Sequence, residues 1–361
     1  MTLSPPTDGK LMETAVLQGI RERAAAADRG EATLAADLSA LHAAGMLAAV
    51  VGHTSVGGDT LAGARLLRRI GRVSLPVGRI VEGHANALRL IGLYGSHGQR
   101  RQAADATALG AVFGVWGAEG KEPVVIAGTS GAQVTLRGAK HFCSGLGLLT
   151  HAVVPVQTGD GPQLLLADVR DPARADASVW QVSGMRATAS GRYDLTGVAA
   201  QRLGSPGDYL REPHFEGGIW RYCALHCGGL EALAEAVRQH ILARGQGGDS
   251  DQTGRLAQLV ILCHGARLWV EAAALAVESG RNVAAAVAQG LLAREAVEQA
   301  CLSGMALAER ALGTAAFGAS GEADRVRRDL AFFLRQANLD GKRAAAVRHL
   351  LADPAMIGDM W

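Results

Sequence analysis

The period of the hydrophobic pattern changes twice along the chain, and this change constrains the fold more than any other feature. From about residue 11 to 104, apolar residues recur at three- and four-residue spacing, as in LAADLSALHAAGMLAAV, which is typical of amphipathic helices. Between about 110 and 204 the spacing becomes two, as in AQVTLRGAK and THAVVPVQT, which indicates short strands. Helical spacing resumes after Pro206. The sequence therefore predicts a mainly α chain with a small β domain in its middle.

We predict three domains, namely an N-terminal helical domain over residues 1–109, a β domain over 110–204 and a helical bundle over 205–361. A chain of 361 residues exceeds what one hydrophobic core usually organises. Three C-terminal segments with helical spacing run over twenty residues, which favours an antiparallel bundle. Hydrophobic residues make up 48% of the chain and aromatic residues only 4%, a composition that suits closely packed helices.

Charge and hydropathy argue against nucleic-acid and membrane partners. The net charge is +2, and no run of Lys and Arg is interleaved with aromatic residues, so the electrostatic pattern of a nucleic-acid-binding protein is missing. No stretch of about 18 uninterrupted apolar residues occurs. The first residues, MTLSPPTDGK, lack the layout of a signal peptide. We therefore expect a cytoplasmic protein.

The five cysteines are odd in number and scattered along the chain. Cys223 and Cys227 lie four residues apart within an apolar pattern. Because free cysteine packs as a small hydrophobic residue, we expect buried thiols rather than a metal or redox site.

The order of the domains and several local patterns resemble the acyl-CoA dehydrogenases. LSALHAAGMLAAVVGHTSVGGDTL is similar to that family's leucine-rich helix and Gly-Gly loop. RGAKHFCSGLG resembles its β-domain stretch, in which a Gly-x-Lys turn precedes an aromatic residue and, two residues later, a hydroxyl. The resemblance spans nearly the whole chain. It implies an acyl-CoA dehydrogenase-like fold, with an N-terminal helical domain, a β-barrel-like middle domain and a C-terminal four-helix bundle, and it implies FAD as the cofactor.

The resemblance assigns two residues of the β domain to the flavin. In the family, the aromatic residue and the hydroxyl face the cofactor, which puts Phe142 against the isoalloxazine edge and Ser144 within reach of its redox-active nitrogen. Alternation along a strand would point both side chains the same way. A flavin that exchanges hydride needs an apolar shield beside a polar donor. Thr188 and Ser190, in GMRATAS, are further candidates; an ordinary strand and an exposed turn remain alternatives.

Two bundle segments resemble contacts that the family makes with the cofactor of a neighbouring subunit. In ERALGTAAFGASG, Gly313, Thr314 and Phe317 match a Gly-rich loop that ends in an aromatic residue. Arg244 matches an arginine that binds the flavin pyrophosphate, in keeping with the affinity of guanidinium for phosphate. Such a site implies a homodimer or homotetramer. Alternatives are a helix-capping turn for the loop and a solvent-facing helix end for Arg244.

The catalytic glutamate of the family is missing. In the family it lies in a Glu-Gly turn between the last two helices, and counting without gaps puts Ala337 there. If the preceding helix is one turn longer, Asp340 of NLDG takes the position, and burial beside the flavin would raise its pKa enough to abstract a proton. Asp340 is thus our candidate base, with a plain helix N-cap as the alternative. Some families with this fold place the base on the first long bundle helix, near HFEGGIWRYCALHCGGLE, where Glu216 and His226 are available but neither matches the register; a buried core histidine is the alternative for His226.

The leading functional hypothesis is an FAD-dependent oxidoreductase that oxidises an acyl thioester, such as an acyl-CoA, or a related small substrate. The missing glutamate makes a flavin-dependent monooxygenase of the same fold a serious alternative, because reduced flavin that reacts with oxygen needs no base for an α-proton. Two departures from the family support a third hypothesis, which is a non-catalytic oligomeric scaffold that has lost flavin chemistry. These are a shortened loop at VWGAEGKEPVVIAG and Gly247 in place of an aromatic residue.

Overall fold

The computed structural model describes residues 8–335 and 338–359. The N-terminal part is helical, with α1 (Asp8–Asp28), α2 (Ala35–Ala43), α3 (Met46–Thr54), α4 (Thr60–Val73), α5 (Leu75–Tyr94) and α6 (His97–Ala108). Polar side chains cap the later helices. Asp59 and Ser74 accept hydrogen bonds from the first turns of α4 and α5, and Ser96 forms a capping box with Gln99 at the start of α6.

Nine short strands follow, in two sheets. They are β1 (Phe113–Val115), β2 (Val125–Ser130), β3 (Gln133–Arg137), β4 (Ala139–Cys143), β5 (His151–Thr158), β6 (Gly161–Asp168), β7 (Ala175–Asp176), β8 (Gly191–Asp194) and β9 (Ala199–Leu203). Six strands form one sheet in the order β1-β5-β6-β9-β3-β2, and β4-β8-β7 form the other. All pairings are antiparallel except β1 with β5. In β3, Val134 and Leu136 are buried and their neighbours exposed, as the alternation predicts.

The C-terminal part is a bundle of α7 (Trp220–Ala243), α8 (Ser250–Glu278), α9 (Val283–Leu312), α10 (Glu322–Phe333) and α11 (Leu339–Ala352). The first three have 24, 29 and 30 residues, so the expected long helices are present. α7 lies in the centre and also packs on α4. Two glycines let these backbones touch, since a Cβ on Gly71 would come within 2.5 Å of the Leu225 carbonyl oxygen and one on Gly228 within 2.2 Å of the Arg68 carbonyl oxygen.

α8 differs from the other bundle helices in how much of its apolar surface is exposed. Among the described residues it is the one helix long and apolar enough to cross a membrane, and the bent pair of α2 and α3 passes the same test together. Only 28% of its most apolar window is buried. Its exposed large side chains are Val260, Ile261, Leu268, Trp269 and Leu275.

Four of the five cysteines are buried as free thiols, and Cys263 is half-buried. Burial raises the pKa of the Cys143 thiol to about 12. The thiols therefore behave as core residues, as the sequence predicts.

Candidate flavin site

A pocket of about 420 Å³ opens between the β domain, α5 and the end of α10. Phe142 and Ser144 both line it, together with Thr188 and Ser190. The sequence-predicted pair thus faces one cavity, although regular strand alternation is not the reason. The β4 register shifts between Lys140 and Cys143, and Phe142 adopts a left-handed φ of 52°. Such a conformation in a bulky residue costs roughly 1–3 kcal/mol, so the surrounding structure holds the ring at the opening.

Three hydroxyl groups form a chain behind the pocket wall. Ser190 Oγ donates to Ser144 Oγ at 2.8 Å, and Thr188 Oγ1 lies 2.7 Å from both Ser190 Oγ and the Met185 carbonyl oxygen. Thr188 and Ser190 are buried. With Ser190 as donor, the hydrogen of the Ser144 hydroxyl is free to point into the pocket. The Ser144 hydroxyl therefore faces the cavity as a hydrogen-bonding group for whatever occupies it.

Aromatic side chains form the opposing wall. Phe142 is 62% exposed and meets Trp180 edge-on at 5.9 Å between ring centroids, while Trp180 meets Phe332 at 5.3 Å. The Trp180 indole N–H donates to the Met185 carbonyl oxygen at 3.1 Å. Trp180 and Phe332 were not predicted from the sequence, because nothing in their local sequence signals a site. Together the three edge-to-face rings give an apolar wall next to the Ser144 hydroxyl.

The GMRATAS turn beneath the pocket is fixed by α10. Asp329 is buried, and its Oδ1 accepts a 2.6 Å hydrogen bond from the Met185 backbone N–H. Burial raises the pKa of the Asp329 carboxyl to about 7. Gly184 is needed here, since a Cβ would come within 2.0 Å of the Arg328 carbonyl oxygen. Arg328 joins the same contact by pairing with Asp28 and donating to the Ser183 carbonyl oxygen.

The loop that follows β1 lines the pocket through Gly117 and Ala118. Glu119 anchors the loop by an ion pair with Lys140 and by accepting from the Val124 N–H at 3.2 Å. Lys140 is fully buried and also donates to the Pro155 carbonyl oxygen at 2.8 Å. The lysine of the Gly-x-Lys turn therefore holds this loop against the β domain.

A second pocket, of about 240 Å³, adjoins the first and shares Arg79, Val115, Gly117 and Phe333 with it. Its other walls come mainly from α5, α7 and the segment before α7. Three of its side chains, Glu82, Arg89 and Arg221, are buried and charged. Glu82 pairs with Arg79, and Arg89 pairs with Glu278 of α8 at 2.7 Å. A small charged chamber therefore lies beside the hydroxyl and aromatic pocket.

The other predicted cofactor ligands lie at the far end of the bundle. Arg244 is the exposed C-cap of α7, and Gly313, Thr314 and Phe317 belong to an exposed 3-10 turn after α9. The Gln252 side chain donates to the Ala311 carbonyl oxygen at 3.2 Å, which brings the start of α8 to the end of α9. At 1.5 Å per residue, Arg244 lies roughly 33 Å along α7 from the second pocket. Within one chain, these residues and the pocket of Ser144 are separate.

The candidate bases are distributed differently. Asp340 lies in the first turn of α11, after the N-cap Asn338; its side chain is 90% exposed and pairs with Arg343 at 2.8 Å. Ala337 is outside the described residues. His226 is buried beside Phe333, and burial lowers its pKa to about 3. Glu216 pairs with Lys342.

Among the described residues, the 420 Å³ pocket has no carboxylate in its lining. The role of Asp340 as a base stays a prediction.

Comparisons with known proteins give the fold. No family model and no curated protein matches the chain. Solved structures do match, among them the indole-bound dibenzothiophene monooxygenase TdsC from Paenibacillus sp. A11-2, with a TM-score of 0.80, 17% identity and coverage of 98% of this chain and 99% of that one.

The methanesulfinate monooxygenase MsuC from Pseudomonas fluorescens matches with a TM-score of 0.79, 18% identity and coverage of 99% and 100% of the two chains. Butyryl-CoA dehydrogenase from Megasphaera elsdenii matches with a TM-score of 0.80, 14% identity and coverage of 97% and 100%. The chain has the acyl-CoA dehydrogenase fold, and the predicted fold class is confirmed.

Proposed function

We propose that this chain is a flavin-dependent oxidoreductase whose flavin ring occupies the 420 Å³ pocket. The observation that carries the proposal is that the Ser144 hydroxyl, backed by two buried hydroxyls, and the apolar aromatic wall of Phe142 and Trp180 line one cavity. A planar ring system with hydrogen-bonding nitrogens fits this pairing of surfaces. When bound, the flavin supplies the redox chemistry that side chains lack.

The side chains have separate roles in this proposal. Ser144 donates a hydrogen bond to a ring nitrogen, and Ser190 with Thr188 fixes the direction of that donor. The rings of Phe142, Trp180 and Phe332 exclude water from one face of the flavin. Phe142, as the most exposed of the three, also limits access to the cavity.

FAD is the proposed cofactor, with its phosphates held by a second subunit. The second pocket, which adjoins the flavin pocket, lies roughly 33 Å along α7 from Arg244, so Arg244, Gly313, Thr314 and Phe317 would serve the flavin of a neighbouring copy. The apolar exposed face of α8 supports this arrangement, because a contiguous apolar surface of this kind is typical of a subunit interface. A homodimer or homotetramer of a cytoplasmic enzyme follows from the proposal.

Oxygen-dependent oxidation of a small molecule is the reaction that we favour. Removal of an α-proton requires a base within reach of the substrate, and the described lining of the flavin pocket offers no carboxylate. A monooxygenase needs no such base. The likeness to TdsC and MsuC, which are monooxygenases by name, supports the same choice.

Dehydrogenation of an acyl thioester is the second candidate. The likeness to butyryl-CoA dehydrogenase supports it, and so does Arg335, which lines the pocket shortly before Asp340 in the chain. In that case the exposed carboxylate of Asp340 would have to turn into the cavity when substrate binds.

Two assays on flavin-reconstituted protein separate these reactions. A monooxygenase converts the substrate to an oxygenated product when reduced flavin and oxygen are supplied, and it leaves bound flavin oxidised when an acyl-CoA is added without oxygen. A dehydrogenase bleaches its flavin with acyl-CoA under the same anaerobic conditions. Protein that retains neither FAD nor FMN after desalting and that forms no oxygenated product would contradict both reactions and leave the scaffold hypothesis.

A further inference from the structure

The second pocket contains three buried hydrogen-bond donors without an acceptor. Within residues 8–335 and 338–359, Arg221 Nη1, Arg89 Nε and the Tyr222 hydroxyl are each shielded from solvent and have no hydrogen-bond partner. All three residues line the same 240 Å³ cavity. Buried donors in native proteins nearly always have partners, so three in one cavity indicate a ligand rich in acceptors.

Arg221 is the most constrained of the three. It is only 4% exposed, and its Nε donates to Asn86 Oδ1 at 2.6 Å. Its Nη1 lies 3.6 Å from Glu278 Oε1, which is too far for a hydrogen bond. Gly218 leaves room for the guanidinium, since a Cβ there would come within 2.4 Å of Nη2. The fold therefore holds a buried arginine whose donors are only partly satisfied.

The charges around the cavity do not balance. Arg79, Arg89 and Arg221 carry three positive charges, whereas Glu82 and Glu278 carry two negative ones, which leaves one positive charge over. His214 does not add to this excess in neutral solution, because burial and the nearby Arg89 lower its pKa. Arg79 is only half-buried, whereas Arg89 and Arg221 are buried, and a bound monoanion would balance the excess charge of this cluster.

We propose that the second pocket binds the oxyanion group of a small substrate, a carboxylate or a sulfur oxyanion, with Arg221 as its main ligand. Tyr222 donates a further hydrogen bond to the same group. The rest of the substrate extends towards Arg79, Val115 and Phe333, which the two pockets share, so that its oxidisable atom meets the flavin. That this anion is the substrate rests on the proposed flavin function, whereas anion binding itself does not.

The volume of the pocket restricts the size of the ligand. About 240 Å³ is below the roughly 300–1,000 Å³ of sites for drug-sized molecules. The anion therefore belongs to a short-chain acid rather than to a nucleotide or a polycyclic compound.

Calorimetric titration of small anions into the full-length protein, with and without flavin, tests the assignment. The probes are acetate and methanesulfonate, with acetamide and dimethyl sulfone as neutral counterparts, at constant ionic strength. We expect saturable one-to-one binding of at least one anion and none of its neutral counterpart. The anion with the lower Kd identifies the carboxylate or the sulfur class.

Three variants locate the binding. Arg221→Met removes the charge at similar length and should weaken anion binding at least tenfold. Tyr222→Phe removes one donor and should weaken binding about fivefold; because its hydroxyl has no partner in the described structure, the variant should fold with an unchanged Tm. Arg100→Met, at an exposed arginine of α6, is the matched control and should bind as the parent does.

Absence of saturable binding in the parent protein would overturn the proposal, and so would parental affinity in both pocket variants. If Arg221→Met does not fold, Tyr222→Phe alone decides. Anion binding by a protein that retains no flavin and oxidises no substrate with supplied flavin would leave this site intact and reject the flavin function. Flavin turnover without anion binding would reject this site and leave the flavin function intact.

Discussion

Ser144 is placed by its backbone, and its side chain is left available for a ligand. The Gly145 N–H donates to the Thr188 carbonyl oxygen at 2.8 Å, and the Trp116 indole N–H donates to the Ser144 carbonyl oxygen at 3.1 Å. Trp116 is itself fully buried. Two long-range contacts of the backbone therefore fix the position of Ser144. A conservative substitution of Ser144 should change ligand binding more than folding.

Asp340→Asn distinguishes the two proposed reactions at the level of a single residue. The carboxylate is 90% exposed and pairs only with Arg343 among the described contacts, so we expect substrate oxidation within about twofold of the parent. Steady-state assays with reconstituted flavin measure this. Complete loss of substrate-dependent flavin reduction, with flavin still bound, would instead establish Asp340 as the base of a dehydrogenase.

The buried Asp329 should make stability depend on pH. Burial raises its folded pKa from an ordinary value near 3.8 to about 7, so between these pH values the folded chain binds a proton that the unfolded chain does not. Its contribution to stability is then fully present below about pH 4 and is lost as the pH rises to about 7. Asp329→Asn lacks this titration and can still accept the Met185 N–H.

The Tm difference between Asp329→Asn and the parent should therefore shift in favour of the variant from pH 5 to pH 8. Thermal unfolding across this range measures it. Asp160→Asn, at an exposed turn, is the control and should track the parent at every pH. A difference that does not change with pH would reject the raised pKa.

At the scale of elements, hydrophobic period and turn residues predict the helices and strands well. Long apolar-periodic segments become α7, α8 and α9, and the alternating run around Val134 becomes β3. The pocket of Phe142 and Ser144 was also predictable, but only from a resemblance, because its geometry depends on an irregular β4 and a left-handed residue.

The charged pocket could not be predicted from the sequence. Arg89 and Glu278 are separated by 189 residues and meet only through the packing of α5 on the bundle. Met185 and Asp329, which are 144 residues apart, meet through the packing of the GMRATAS turn on α10. Local patterns carry no information on such pairs, and neither the charge of Arg221 nor the hydroxyl of Tyr222 stands out within an apolar helical segment.

The contact between α4 and α7 gives a prediction at this scale. A methyl group on Gly228 would meet two backbone atoms, Arg68 O at 2.2 Å and Arg72 N at 2.6 Å, and backbone cannot rotate away. Gly228→Ala should therefore lower the free energy of unfolding by about 1–3 kcal/mol or more. Denaturant titration measures this change.

Gly92→Ala is the matched control, because Gly92 is an exposed residue of α5 with nothing within 4 Å of an added Cβ. The higher helix propensity of alanine should raise stability by about 0.5–1 kcal/mol. A Gly228→Ala protein as stable as the parent would mean that α4 and α7 do not pack as closely as described.

At the scale of the whole molecule, the exposed apolar face of α8 and the remote position of Arg244 both predict a homo-oligomer whose subunits share flavin sites. Ile261 on that face is 68% exposed. Ile261→Glu places a charge in the proposed interface, so we expect sedimentation velocity to show a smaller species than the parent dimer or tetramer. Because the neighbouring subunit would hold the phosphates, FAD retention should fall when the oligomer dissociates.

Leu109→Glu controls for the added charge, since Leu109 is 89% exposed and lies outside the bundle. It should associate and retain FAD as the parent does. A parent protein that sediments as a monomer while retaining FAD would contradict the shared site.

The most direct test is a titration of FAD and of FMN, followed by visible difference spectra, into the purified protein and into a double variant that combines Ser144→Ala and Phe142→Ala. Leu109→Ala is the control. The account predicts saturable binding of a flavin by the parent and the control, with affinity weakened about tenfold when both Ser144 and Phe142 are replaced. Equal affinity in the double variant, or no flavin bound by the parent, would contradict a flavin in this pocket.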